Sequence, residues 1–299
     1  MYLDHFHFNE RPFALTPDTD YFYNNTVCQE AMNVILVALD NGEGIIKITG
    51  EVGTGKTMLC RKLLNDLPDD YVSVYLPNPL MEPQQLYHAV ASDLGVATQQ
   101  SNSVAALLDQ LNVRLIKLSA SGRRVVVCVD EAQSMPHETL EALRLLTNVE
   151  TEKRKLVQII LFGQPEMDSQ LARNELRQLR QRISFAYRLR PLDYDGFCGY
   201  LRHRLAMAGY HGAPLFSRAA RKRLFRASGG VPRLINILAH KALLCAYGKG
   251  RYNVNGRCVA AAIADTEGLC MSTHWRLALA VFLAVSFCLG IYAAQYLGR

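Results

Sequence analysis

The sequence predicts an α/β fold in which a mainly parallel sheet is followed by a small all-α domain and then by a C-terminal apolar span. Three observations carry this expectation. Short β-rich runs alternate with helical patterns as far as Pro191. After Pro191 the strand signal disappears and four helical patterns follow. Near the end, Leu277–Ala294 runs for 18 residues without a charge. The 299 residues are 49% hydrophobic and 20% charged, which excludes a disordered chain, a collagen-like repeat or a coiled-coil rod.

The first run, Gly44–Thr49, is β-rich and leads into a glycine-rich turn. Tyr71–Leu76 alternates and stops at Pro77. Arg124–Val129 and Leu156–Leu161 are continuous apolar runs, the pattern of parallel strands covered on both faces. Between and after them lie helical patterns at Lys56–Asn65, Pro83–Leu94, Val104–Ser119, Glu138–Thr147 and Asp168–Arg182. Ser184–Leu189 alternates as a fifth strand would. The all-α part is expected at Tyr194–Met207, Arg218–Ala227, Pro232–Tyr247 and Gly256–Asp265, with Ser217 and Asn255 as N-caps.

Charge is unevenly spread. From Arg173 to Arg257 there are 18 Lys and Arg against three acids, a balance of +15, while the remainder carries −9. Such a segment suits phosphates, nucleic acid, an anionic surface or an acidic neighbouring subunit. The eight cysteines form no CxxC or Cys/His ligand spacing, as expected of free thiols in a reducing compartment. Met1–Phe13 has no apolar segment of the signal-peptide kind. As a helix, Leu277–Ala294 would be roughly 27 Å long, close to the hydrocarbon thickness of a bilayer. Trp275, Arg276, Tyr292 and Tyr296 flank it as interface residues do. A single C-terminal span at 277–294, with the bulk of the chain cytoplasmic, is therefore expected over a buried terminal helix.

Gly50-Glu-Val-Gly-Thr-Gly-Lys-Thr57 is GxxxxGKT between a strand and a helix, the context a phosphate-binding loop requires. The backbone N–H groups of Gly50, Glu51, Val52, Gly53, Thr54, Gly55, Lys56, Thr57 and Met58 would wrap a polyphosphate. The Lys56 ammonium would reach its outer phosphates and the Thr57 hydroxyl would bind Mg²⁺. Asp130 ends a wholly apolar strand, where it would hold the Mg²⁺ shell, and Glu131 beside it would activate the attacking water. Gln164 in Phe162-Gly-Gln-Pro165 ends the next strand and suits a bridge to that water, or simply a turn before proline. Of Arg177, Arg180 and Arg182, the last two are the candidates to reach a nucleotide on a neighbouring subunit, each being equally readable as a solvated face. Arg233 follows Pro232 at a helix start, where a cation opposes the helix dipole and an anionic partner is expected.

Taken in order, the phosphate loop, Asp130-Glu-Ala-Gln133, Phe162-Gly-Gln-Pro165, Leu179-Arg-Gln-Arg182 and Gly230-Val-Pro-Arg233 resemble the AAA+ ATPases of the general-secretion-pathway A type. Tyr2-Leu-Asp-His-Phe6 and Pro12-Phe-Ala-Leu-Thr-Pro17 resemble that family's opening. The resemblance spans about residues 1–268 and is strongest to the branch serving mannose-sensitive haemagglutinin (MSHA) type IV pilus biogenesis. It implies an AAA+ P-loop NTPase domain at 1–190 and a helical lid at 191–268, ahead of the transmembrane helix that hydropathy places at 277–294. It further implies ATP with Mg²⁺, ring-like homo-oligomers expected to be hexameric, and Arg233 as the lid's sensor arginine. Adenine over guanine is likewise inherited from it, no NKxD-like guanine reader being present. The secretion members continue into a periplasmic peptidoglycan-binding domain, whereas this sequence stops at Arg299, so wall contact is expected from a partner.

The leading expectation is thus an inner-membrane-anchored ATPase whose ATP turnover assists assembly of an MSHA-like type IV pilus or a type II secretion-related machine. A DNA-associated AAA+ ATPase of the transposition or replication kind is the alternative, motivated by the basic segment. A nucleic-acid partner is not expected, since no helix-turn-helix or zinc module is evident. A slowly hydrolysing scaffold would need the same residues as a motor.

Overall fold

In a computed structural model, residues 2–96, 103–150 and 155–266 are described. Their contacts divide the chain into two units, Thr16–Leu192 and the combination of Met1–Leu15 with Asp193–Arg299.

The first unit is built on five parallel strands: β1 (Ile45–Gly50), β2 (Tyr71–Leu76), β3 (Arg124–Val129), β4 (Val157–Gly163) and β5 (Ile183–Leu189), in the order β2-β3-β4-β1-β5. The central β1, β3 and β4 are nearly continuous in apolar residues because both of their faces are covered. The edge strand β5 alternates half-buried and exposed residues until Leu189, as a strand with one solvated face must. One face packs helices α4 (Pro83–Asp93), α5 (Val104–Ala120) and α6 (His137–Leu146) through Leu86, Val90, Leu107, Leu111, Leu140 and Leu143. The other packs α2 (Thr26–Asp40) and α3 (Lys56–Asp66) through Ile35, Leu39, Leu59 and Leu63. Register decides where chemistry can occur. Thr49 pairs with Gly163 and Val129 with Leu161, so the loops leaving β1, β3 and β4 emerge side by side at one edge of the sheet.

Two elements differ from expectation. Asp168–Arg182 is not one helix; α7 (Glu166–Leu171) and α8 (Arg177–Gln181) are separated by a 3-10 turn at Asn174–Leu176. Leu171, Leu176 and Leu179 all face the core. In an unbroken helix residues five apart would diverge by roughly 140°, so the break lets both leucines point inward. The second difference is α2, whose mixed composition hides its period. Its N-cap is Asn25, which accepts from the Cys28 N–H at 2.8 Å.

The second unit holds the short α1 (Tyr2–Phe6) and the helices α9 (Tyr194–Met207), α10 (Arg218–Ser228), α11 (Pro232–Gly248) and α12 (Gly256–Ala264). Ser217 and Asn255 cap α10 and α12 as expected. Residues 2–15, which the sequence places with the sheet, pack with these helices. Arg204, buried on α9, donates from Nε to the Pro12 carbonyl at 2.6 Å and from Nη2 to the Ala14 carbonyl at 3.1 Å. A buried guanidinium requires such acceptors, and here the N-terminal segment supplies them.

The expected membrane helix is corrected. Among the described residues no helix is long and apolar enough to cross a membrane. The longest of them, α5 and α11, have 17 residues each and carry Asp109, Arg114 and Lys117, and Arg233 and Lys241, respectively. At 1.5 Å per residue they fall short of the roughly 30 Å of a bilayer core. Residues 277–294 lie outside the described residues. The fold is therefore a parallel sheet with a helical unit, and the transmembrane part of the expectation is withdrawn.

Candidate active site

The glycine-rich turn leaves β1 under tight steric constraint. A Cβ on Gly50 would lie 2.8 Å from Thr54 Oγ1 and 3.0 Å from Leu189 Cβ, so no larger residue fits. Gly55, at φ 103°, adopts a conformation that L side chains avoid. The Thr54 hydroxyl closes the turn by donating to the Glu51 carbonyl at 2.8 Å. No side chain caps α3, so the N–H groups of its first turn have no partner from a capping residue and form an anion-binding end.

Lys56 opens that helix and is only 4% exposed. Its Nζ donates to the carbonyls of Gly50 at 2.8 Å and Glu51 at 3.1 Å, neutral acceptors that leave its charge uncompensated by direct pairing. Burial holds its pKa below the usual lysine range, opposed by the nearby carboxylates of Glu131, Asp130, Glu51 and Glu166. Asp130 is buried at the end of β3, and its pKa is pushed up chiefly by burial. Hydrogen bonds from the Thr57 hydroxyl and from the Glu131 N–H, 3.0 Å from Oδ1, partly offset this. A desolvated cation, a desolvated carboxylate and a hydroxyl thus meet at an uncapped helix start.

Glu131 has a left-handed backbone, φ 52° and ψ 38°. A non-glycine residue held there costs of order 1–3 kcal/mol and persists where its surroundings fix it. Two amides do so: Gln133 Nε2 donates to Glu131 Oε2 at 2.6 Å, and Gln164 Nε2 donates to the same oxygen at 3.0 Å. Gln133 Oε1 in turn accepts from the Gln164 N–H at 2.9 Å, closing a ring of three side chains across adjacent strands. Gly163 makes room for it, since a Cβ there would lie 2.9 Å from Met167 Sδ and 3.3 Å from Gln133 Oε1. The sequence alone assigns Gln133 no role beyond its place in Asp130-Glu-Ala-Gln133. Its signal was an amide two residues after a strand-end carboxylate.

The other expected residues lie as follows. Glu51, exposed, pairs with Arg188 at 3.2 Å, Val52 is exposed at the loop tip, and Met58 is half-buried on α3. Arg180 is exposed at the end of α8. Arg182 is half-buried and donates to Thr147 Oγ1 at 2.8 Å. Both precede β5 and so lie at the sheet edge opposite the phosphate loop, about 23 Å away along a seven-residue strand. The structure therefore does not bring them to Lys56 of the same chain. Arg233 is exposed in the first turn of α11, in the helical unit.

The donor set fits Mg²⁺. Thr57 and Asp130 offer two hard oxygens, and among the described residues no group of three His, Cys, Asp or Glu could hold a metal. An ion that keeps several waters and takes phosphate oxygens needs no more from the protein.

Comparison with known proteins agrees with this geometry. Residues 39–171 match the model of the AAA domain family. General secretion pathway protein A of Aeromonas hydrophila is 37% identical over 284 residues, covering 95% of this chain and 52% of its own length. The chain thus spans about half the length of that curated relative. Among solved structures, the Aeropyrum pernix ORC2 protein, as ADPNP-ADP complexes, superposes with a TM-score of 0.63 at 16% identity, covering 86% of this chain and 71% of that one. Cdc6p of Pyrobaculum aerophilum gives 0.61 at 15% identity, covering 81% and 67%. At such identities the likeness concerns the fold. Fold, phosphate loop and paired acids together define an AAA-type P-loop domain, whose buried lysine, hydroxyl and carboxylate suit a magnesium nucleoside triphosphate.

More particularly, the chain is related to the general secretion pathway A proteins. Membrane anchoring, the inner-membrane location through a single C-terminal span, and the membrane as a partner are not supported by these findings. All three rested on a spanning helix, and none occurs among the described residues.

Proposed function

We propose that this ATPase couples ATP hydrolysis to assembly of a general-secretion-type envelope machine, with MSHA-like type IV pilus biogenesis as the finer reading. The carrying observation is Glu131, fixed by Gln133 and Gln164 at the strand edge that also holds Lys56 and Asp130. A site built only to bind nucleotide has no use for a strained, doubly anchored carboxylate at that edge. The relationship to general secretion pathway protein A supports the process, and the motifs quoted above support the pilus branch.

In the proposed reaction, the loop N–H groups and Lys56 hold the β- and γ-phosphates. Glu131 takes a proton from water as its oxygen bonds to the γ-phosphorus, and the bond from that phosphorus to the bridging oxygen breaks, leaving ADP and phosphate. Thr57 and Asp130 would hold Mg²⁺, which when bound neutralises charge on the phosphate oxygens. Gln164 acts by aiming Glu131. Arg180 is the better candidate for a neighbouring subunit's nucleotide, because Arg182 is engaged with Thr147. Arg233 keeps the sensor role on the strength of the resemblance alone. We take the sheet unit as the ATPase domain and the helical unit, with residues 2–15, as its lid, acting in a homo-oligomeric ring.

The test is a chromosomal Glu131→Gln replacement in the source organism, scored for surface pili and for secreted protein. Loss of one process with normal protein levels supports the assignment and names the machine. Normal pili and normal secretion would refute it.

A further inference from the structure

The cations between Arg173 and Arg257 far exceed what one nucleotide needs, and within the helical unit several of them surround two cavities flanking a single loop. That loop, residues 209–216, joins α9 to α10 and has a fixed form. The Tyr210 hydroxyl donates to the Ala213 carbonyl at 2.7 Å, and Gly209 (φ 84°) has no room for a Cβ against Asn9. On one side a cavity of about 360 Å³ has Leu201, Leu205 and Phe216 in its floor, with Arg202, Arg221 and His211 around it. On the other side lies a cavity of about 420 Å³ lined by Arg251 and Tyr252. Tyr210, Ala213, Pro214 and Leu215 line both, so the two form one groove crossed by a low ridge. Neither is lined by an acid. Tyr252 is 72% exposed, yet its ring is ordered by stacking on His5, 4.4 Å away and 8° from parallel.

Arg221, half-buried, lines the first cavity beside Arg202, with no acid in that lining. A guanidinium at the edge of an apolar floor and without a carboxylate beside it favours an incoming anionic oxygen, which it binds by charge-assisted hydrogen bonds.

We propose that this groove docks an extended acidic peptide of a partner protein, one that presents a bulky apolar side chain beside a carboxylate. The apolar side chain lies on Leu201, Leu205 and Phe216, and the carboxylate bonds to Arg221 with Arg202 alongside. The peptide then crosses the ridge to Tyr252 and Arg251. An extended chain places alternate side chains roughly 7 Å apart, the arrangement that paired pockets recognise. A nucleic acid fits less well, since the apolar floor offers its phosphates no partner. The basic cavity between α10 and α12, lined by Lys222, Arg223 and Arg226, has no buried apolar side chain in its lining. The proposal goes beyond the ATPase assignment and does not depend on it.

The experiment selects phage-displayed random heptapeptides on the immobilised full chain. The recovered peptides, fluorescein-labelled, are then measured by anisotropy. Enrichment of Asp or Glu beside Leu, Ile or Phe is expected, with binding at least about tenfold weaker in Arg221→Gln. Arg202→Glu, a change at an exposed position, should also weaken binding and guards against a folding defect in the first variant. ATP turnover and the thermal melt should be unchanged in both. Absence of acidic-apolar enrichment, or binding at the parental affinity by both variants, would overturn the proposal. So would displacement of the peptide by a single-stranded 20-nucleotide DNA that binds more tightly.

Discussion

Replacing Gln133 with alanine tests whether the strained carboxylate is positioned by its neighbours. The substitution removes a 2.6 Å hydrogen bond to the Glu131 carboxylate and a 2.9 Å bond from the Gln164 N–H. A hydrogen bond to a charged group contributes about 1.5–3 kcal/mol and one between neutral groups about 0.5–1.5 kcal/mol. Gln133 is only half-buried and water replaces part of both, so a stability loss of about 1–3 kcal/mol is expected. Glu131 would keep one anchor, Gln164, and lose the constraint that holds φ at 52°. A general base misplaced by about 1 Å costs on the order of a hundredfold in rate, so kcat should fall about 10- to 100-fold. KM for ATP should barely move, because no phosphate contact is touched. Steady-state turnover and binding of a fluorescent ATP analogue separate the two quantities. A kcat within twofold of the parent, in a variant shown to be folded, would refute the positioning argument.

Asp130→Asn should stabilise the nucleotide-free protein while abolishing Mg²⁺-dependent turnover. Burial raises the folded pKa of Asp130 above 3.8, so its contribution to stability is fully present below pH 3.8 and is lost as pH rises through the folded value. The melting advantage of the variant should therefore grow across that window and persist at neutral pH, by about 2–4 °C per kcal/mol relieved. Adding ATP and Mg²⁺ should reverse the order in calorimetry, since only the parent is stabilised by the ligand. Gly50→Ala, forcing a Cβ to within 2.8 Å of Thr54 Oγ1, should cost about 1–3 kcal/mol and weaken ATP binding measured by titration calorimetry. Arg204→Met should strand two acceptor carbonyls, lowering stability by about 2–4 kcal/mol and exposing residues 2–15 to limited proteolysis.

The sheet was legible because its strands are apolar runs ending at glycine, proline or acid. Tyr71–Leu76 and Arg124–Val129 carry the expected bounds. The phosphate loop and the strand-end acids were legible as separate motifs, but their placement at one edge depends on the sheet order, in which β4 lies between β1 and β3. The ring of Glu131, Gln133 and Gln164 was not legible, because it depends on the register of β3 against β4, a non-local fact. The same holds for residues 2–15, tied to Arg204 across some 190 residues. The break between α7 and α8 needed knowledge of which leucines face inward. The spanning helix that hydropathy suggested has no counterpart among the described residues, and 277–294 lie outside them.

The most direct measurement is ATP binding and turnover in Glu131→Gln. If residues 50–57 and 130–131 serve one magnesium nucleotide, affinity for ATP is unchanged and turnover falls about 10²–10⁴-fold, as removal of a general base requires. Turnover at the parental rate would contradict the account at its centre.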